Sequence, residues 1–110
     1  MITVTMKRSD GGITGFTYEG HAGYADHGQD IVCSAVTAQL MMTYNGLETV
    51  LGIPLDLDMA SDGGYFSFSL KDPAEANVAK AQVLMETLKL GLLAIQTQYE
   101  ENITLIEEEV

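Results

Sequence analysis

The chain has 110 residues, with one cysteine, no tryptophan, two prolines and only 5 Lys+Arg against 16 Asp+Glu. Each shortage excludes something. A single thiol, Cys33, closes no disulfide within the chain, so a reducing, cytoplasmic setting is the expectation. The scarcity of basic residues leaves a formal charge of −11. A surface of that sign repels phosphate backbones and anionic headgroups. It argues against direct nucleic-acid binding and membrane attachment, and favours a cationic partner. Long apolar runs are missing too: the stretch from Ile31 to Leu47 is broken by Ser34, Thr37, Gln39, Thr43, Asn45 and Gly46, so no membrane span is expected. Met1 to Lys7 alternates apolar and polar residues, unlike a secretory signal.

What is present is enough to build a core. Hydrophobic residues make up 46% of the chain, which outweighs the net charge as a determinant of folding, and the length fits one domain over residues 1–110. Ser-Asp-Gly-Gly occurs at Ser9 to Gly12 and again at Ser61 to Gly64, each time between segments that alternate with period two. Asp-Gly and Gly-Gly accept the positive φ of tight hairpin turns, so each copy predicts a hairpin. Ile2, Val4 and Met6 share one strand face, and Thr14, Phe16 and Tyr18 share the next. Around the second turn the sets are Leu55, Leu57 and Met59, then Phe66, Phe68 and Leu70.

Between the hairpins, Val32, Val36, Leu40, Tyr44, Leu47 and Leu51 recur at helical spacing. They predict a helix over about Ile31 to Leu51, ended by Gly52 with Pro54 beyond. A second helix is expected from Asp72-Pro73-Ala74-Glu75, with Asp72 as N-cap, Pro73 in the first position and Glu75 completing a capping box. Its stripe is Ala81, Leu84, Leu88, Leu92, Ile95 and Tyr99, and Gly91 permits close approach to the first helix. A last short strand covers Asn102 to Ile106, before an acidic end. The order ββαββαβ predicts an α+β fold, a five-stranded mostly antiparallel sheet with two helices packed on one face. Where the fifth strand docks does not follow from the pattern.

Residues 20–33 do not fit a plain scaffold. They hold His21, His27 and Cys33, with Gly20, Gly23, Gly28, Asp26 and Asp30 among them. The connection is about twice the usual 2 to 6 residues between a strand and a helix, the profile of a functional loop. Asp30 is placed to cap the helix, which would put Cys33 in the first helical turn. There the unpaired amides and the dipole favour a thiolate, and the same amides stabilise an oxyanion. A histidine at the neighbouring strand end would serve as general base. Each piece also has a plainer reading: Cys33 as core filler, the histidines as solvated loop residues, the aspartates as turn formers. His21, Asp26, His27 and Cys33 follow no zinc spacing, so no metal and no cofactor is expected.

Gly20-His21-Ala22, a short loop, then Gly28, one residue, and Asp30-Ile31-Val32-Cys33 resembles the signature of the bacterial ribosomal-processing cysteine proteases, the Prp family. The order of strands and helices agrees over essentially the whole chain. The resemblance implies that His21 (general base and acid) and Cys33 (nucleophile) are the catalytic dyad, with Asp30 supporting as a helix cap that orients the loop and dyad. Gly20, Gly23 and Gly28 are then hinge candidates of a mobile glycine-rich loop, and Tyr24 and His27 are candidates for substrate contact. It further implies a cytoplasmic homodimer. Its activity would be removal of the N-terminal extension of a large-subunit ribosomal protein, the twenty-seventh by the usual numbering, after a short motif ending in phenylalanine. Tyr24, Tyr44 and Phe66 are candidates to receive that phenylalanine. Ser34 and Thr37 depart from the alanine and serine common at those places, which bears on substrate positioning more than on chemistry.

The acidic balance fits a basic ribosomal protein as substrate. From Ile31 to Leu51 the only charged residue is Glu48, so the first helix needs cover on more than one side, and a second copy is one way to provide it. Two other classes fit the same features: a non-catalytic acidic homodimeric module that binds a basic ribosomal protein or assembly factor, and a thiol redox sensor. The sensor lacks a resolving cysteine within the chain.

Overall fold

The structure, a computed structural model, describes residues 1–9, 11–20, 27–61 and 64–110, and for residues 27–30 the backbone alone. The elements are β1 (Ile2–Ser9), β2 (Gly12–Glu19), α1 (His27–Asn45), β3 (Leu55–Met59), β4 (Tyr65–Leu70), α2 (Glu75–Gln98) and β5 (Ile103–Glu109), the expected ββαββαβ order. The strands lie in the order β3-β4-β2-β1-β5. Neighbours run antiparallel except β5, which pairs with β1 in parallel.

Alternation places one row of large side chains on the core face of each strand. Val4, Tyr18 and Phe66 stand directly opposite one another, and so do Met6, Phe16 and Phe68. All six are buried. Onto this face α1 brings Val32, Val36 and Leu40, and α2 brings Val78, Ala81, Met85, Leu88 and Leu92, at spacings of three and four that give each helix one buried stripe. The helices meet where Gly91 of α2 lies against Gln39 of α1, and a Cβ there would collide with the Gln39 carboxamide. Among the described residues, no helix is long and apolar enough to cross a membrane.

Several local expectations shift. Thr14 does not join Phe16 and Tyr18 on the core face. Lys7 pairs with Gly15 and Arg8 with Ile13, so Thr14 is the extra residue of a β-bulge, and Ile13 turns inward instead. Gln82 of α2 satisfies the backbone beside the bulge: Ile13 N–H donates to Gln82 Oε1 at 2.9 Å, and Gln82 Nε2 donates to the Ile13 carbonyl at 2.7 Å. Gln82→Met keeps the volume and loses both bonds, so it is expected to cost about 1–3 kcal/mol of stability in urea unfolding.

The first helix starts earlier than its apolar stripe, at His27, and stays α-helical to Asn45 before widening into a π turn over Gly46–Val50. Gly52, at φ +66°, ends it as expected, and Lys80 Nζ donates to the Leu51 carbonyl at 2.9 Å to close its last turn. The second helix starts later. Ala74 is still extended (φ −56°, ψ 146°) and the helix opens at Glu75. Asp72 therefore caps nothing; its carboxylate accepts the Ala74 N–H at 3.2 Å and closes a turn ahead of the helix.

Leu57 and Met59 are exposed, because β3 is the outer strand and its side chains reach past the helices. The acidic end, by contrast, is drawn into the sheet. β5 runs to Glu109, and Glu107 accepts Lys89 Nζ at 2.9 Å and Arg8 Nη2 at 3.4 Å, while Arg8 also reaches Glu86 at 3.3 Å. The hydrogen bond from Lys89, with lesser help from Arg8, holds the Glu107 carboxyl below the usual carboxylate range.

Candidate active site around Cys33

Cys33 lies in the second turn of α1, on the side that packs toward the core. The starting point of the helix decides what the backbone can offer here. Unpaired amides belong to the first turn, and the N–H of a second-turn residue is taken up by the helix's own ladder. The expected first-turn position, with free amides beside the sulfur, is thereby corrected. Asp30 is corrected in the same way: its backbone is inside the first turn, so it is not the N-cap. Acidic residues are favoured at both places by the same positive helix end, which is why residue type alone does not separate them.

The sulfur is half-buried and has a close polar neighbour. Tyr18 Oη, from the next-to-last residue of β2, lies 2.9 Å from Cys33 Sγ. The Tyr18 ring is buried in the core row between Val4 and Phe66. Burial first, and then the hydrogen bond and charge of Cys33, push the phenol far above its ordinary value of 10.0. Thr37 anchors the helix behind the nucleophile candidate, donating its hydroxyl to the Cys33 carbonyl at 2.7 Å, a bond that serine in its place could also make.

Gly20 follows directly on β2, where its N–H donates to the Gly64 carbonyl at 3.0 Å. A Cβ at Gly20 would stand 2.7 Å from Tyr18 Oη and 3.3 Å from Ile2 Cγ1, so this position is small because the tyrosine hydroxyl passes beside it. His21, Gly23, Tyr24 and Asp26 lie outside the described residues. The backbone of His27, Gly28 and Asp30 is in the first turn of α1, which places Gly28 in the helix and not in the loop where a hinge was expected.

The aromatic candidates divide. Phe66 is buried, packed edge-on against Tyr44 with ring centroids 6.4 Å apart, and so belongs to the core. The Tyr44 hydroxyl donates to Glu48 Oε2 at 2.6 Å, which, with partial burial, raises its pKa. Tyr18 is the residue that sequence reasoning passed over. Its signal was there: a tyrosine on a core face buries a hydroxyl that must find a partner, and this one stands two residues before Gly20-His21.

The model of the family described as cysteine protease Prp matches residues 1–104. A ribosomal processing cysteine protease Prp of Bacillus subtilis is 39% identical over 105 residues, 94% of either chain. Two crystal structures of an essential ribosomal processing protease Prp from Staphylococcus aureus share the fold. One, in complex with a substrate peptide, has a TM-score of 0.86 at 30% identity and covers 98% of this chain and 100% of that one. The other, in complex with a covalently linked product peptide, has a TM-score of 0.83 at 30% identity with the same coverage. A half-buried thiol on α1, a mixed sheet closed by a parallel fifth strand, and a family match over nearly the whole chain converge: the chain belongs to the Prp family and is a cysteine protease.

Proposed function

We propose that this protease removes the N-terminal extension of a large-subunit ribosomal protein, the twenty-seventh, with Cys33 as nucleophile and His21 as its acid–base partner. The observation that carries the reading is the family match over residues 1–104 together with Cys33 as the chain's one thiol, half-buried at the side of α1. The Staphylococcus aureus structure with a covalently linked product peptide supports a covalent route. Cys33 thiolate attacks the scissile carbonyl, the tetrahedral intermediate collapses, and His21 protonates the departing amine, leaving a thioester. His21 then takes a proton from water, the hydroxide adds to the thioester, and the thiolate leaves with its electron pair.

Because the first-turn amides are a turn away from Cys33, the oxyanion is held by backbone N–H groups of the glycine-rich loop after Gly20, which carries Gly23; the N–H of Gly20 itself is taken by the Gly64 carbonyl. Asp30 supports the dyad from within the first turn of α1. Tyr24 and His27 contact the substrate. The enzyme acts in the cytoplasm as a single domain over 1–110, needs no metal or cofactor and does not grip nucleic acid. A net charge of −11 draws a basic ribosomal protein and repels ribosomal RNA. A second copy covers the uncharged outer side of α1, where Met41 and Met42 are exposed.

The deciding experiment is incubation of the purified protein with the uncleaved ribosomal protein, followed by mass spectrometry of the new terminus. A single cut behind the phenylalanine of the extension is expected. Tight binding without any cut would instead favour the non-catalytic module.

A further inference from the structure

The Tyr18 hydroxyl reaches the sulfur of Cys33 from a different element, across fifteen residues of sequence, at 2.9 Å. Two features make this a built contact. The ring is locked in the core row, with Val4 and Phe66 opposite it on the neighbouring strands, so the hydroxyl has little freedom to point elsewhere. The space beside the hydroxyl is kept open by Gly20, where a Cβ would press on Oη at 2.7 Å and on Cζ at 3.1 Å.

The direction of the bond follows from acidity. Burial keeps the phenol protonated at any pH where a thiol ionises. A thiolate has no hydrogen to give, so at the ionised sulfur the bond runs from Tyr18 O–H to Cys33 S⁻. We propose that the Tyr18 hydroxyl is a dedicated hydrogen-bond donor to the Cys33 thiolate, placed to stabilise the charged form of the nucleophile. This rests on the reading of Cys33 as nucleophile, and adds to it a residue that touches the reacting atom.

Other charged groups are disposed so that the contact can be isolated. From Ile31 to Asn45, α1 carries no Asp, Glu, Lys, Arg or His. Glu19 of β2 and its partner Tyr65 of β4 occupy the opposite face of the sheet from Tyr18. Lys80 of α2 is engaged with Leu51, and Glu86 and Lys89 of α2 are engaged with Arg8 of β1 and Glu107 of β5. The side chains of His21, His27 and Asp30 lie outside the described residues, so the comparison is made both in the natural chain and in a His21→Ala background.

The test is the pH dependence of Cys33 alkylation by iodoacetamide in the full chain and in Tyr18→Phe, which keeps the ring. Loss of a donor to a charged sulfur is expected to raise the thiol's titration midpoint by about one unit. The less stabilised thiolate is intrinsically more nucleophilic, so the rate at the high-pH plateau rises about threefold while the rate well below the midpoint falls about threefold. This crossing of the two profiles is something a purely structural role of Tyr18 would not produce. An unchanged or lowered midpoint in a folded Tyr18→Phe protein overturns the proposal. Should that variant fail to fold, Gly20→Ala crowds the hydroxyl off the sulfur with the ring retained, and an unchanged midpoint there overturns it equally. Alkylation needs no peptide substrate, so this result stands apart from the cleavage assay. A protein that leaves the extended ribosomal protein intact fails as the proposed peptidase, whichever way the titration falls.

Discussion

Cys33→Ala is expected to abolish cleavage of the extended ribosomal protein, with a loss on the order of 10⁶-fold in turnover. The size follows from the chemistry: without the sulfur no thioester forms, and what remains is binding and electrostatic stabilisation around an unassisted water. His21→Ala is expected to cost a similar factor, because the tetrahedral intermediate expels the amine poorly when no acid protonates its nitrogen. The double variant should lose little more than either single one, since the two groups act as a unit. Mass spectrometry of the substrate terminus reads the effect, and a melting curve shows whether the fold survives. Cys33 is half-buried and contributes one small side chain to the core margin, so the variant is expected to remain folded. Wild-type cleavage by Cys33→Ala would sink the assignment of the nucleophile.

Phe68→Ala is expected to be the most damaging of the core truncations, at about 3–5 kcal/mol. Phe68 is buried in β4 and meets three other rings: Phe16 and Phe66, each with centroids 5.9 Å away, and Tyr44 of α1, also at 5.9 Å. Removing it leaves a cavity under the joint between β2, β4 and α1, and takes away aromatic contacts that are worth more than their area. A domain of this size has roughly 5–15 kcal/mol in total, so the loss consumes a large share of it. Urea unfolding should show a lowered midpoint at a similar slope, and Phe68→Leu should recover part of the difference. An alanine variant as stable as the natural chain would mean that this cluster is not the centre of the core. Because Tyr18 lies on the next row of the same sheet face, loss of the fold here removes the support beneath Cys33 as well.

Much of the architecture was legible because it is local. Period-two alternation on either side of the two Ser-Asp-Gly-Gly stretches marks the hairpins β1–β2 and β3–β4, whose strands pair antiparallel; Asp10, Asp62 and Gly63 of the expected turns lie outside the described residues. Val32, Val36 and Leu40 announce the buried stripe of α1 through spacing alone. Gly52 stops the helix because the left-handed φ it adopts suits glycine. The Gly-His and Asp-Ile-Val-Cys segments pointed to Prp proteases because their order and spacing are specific, whereas a lone histidine or cysteine would have pointed nowhere.

The remainder depended on contacts between distant parts of the chain. The start of each helix is not legible in its sequence, since an aspartate suits a cap, a first turn or a turn ahead of the helix, and only packing selects among them. The bulge at Thr14 reversed the phase of β2 near its start, and Gln82, far along the chain, supplies the polar partners that make it tolerable. What the amino-acid order determined by itself is therefore the set of strands and helices, the family signature and an acidic surface, all of which arise from neighbouring residues or from composition. Only the tertiary structure decided that β5 docks in parallel on β1 and that Tyr18 meets the sulfur of Cys33. Both are pairings between segments that no local propensity couples, chosen because they bury apolar faces and satisfy polar groups together.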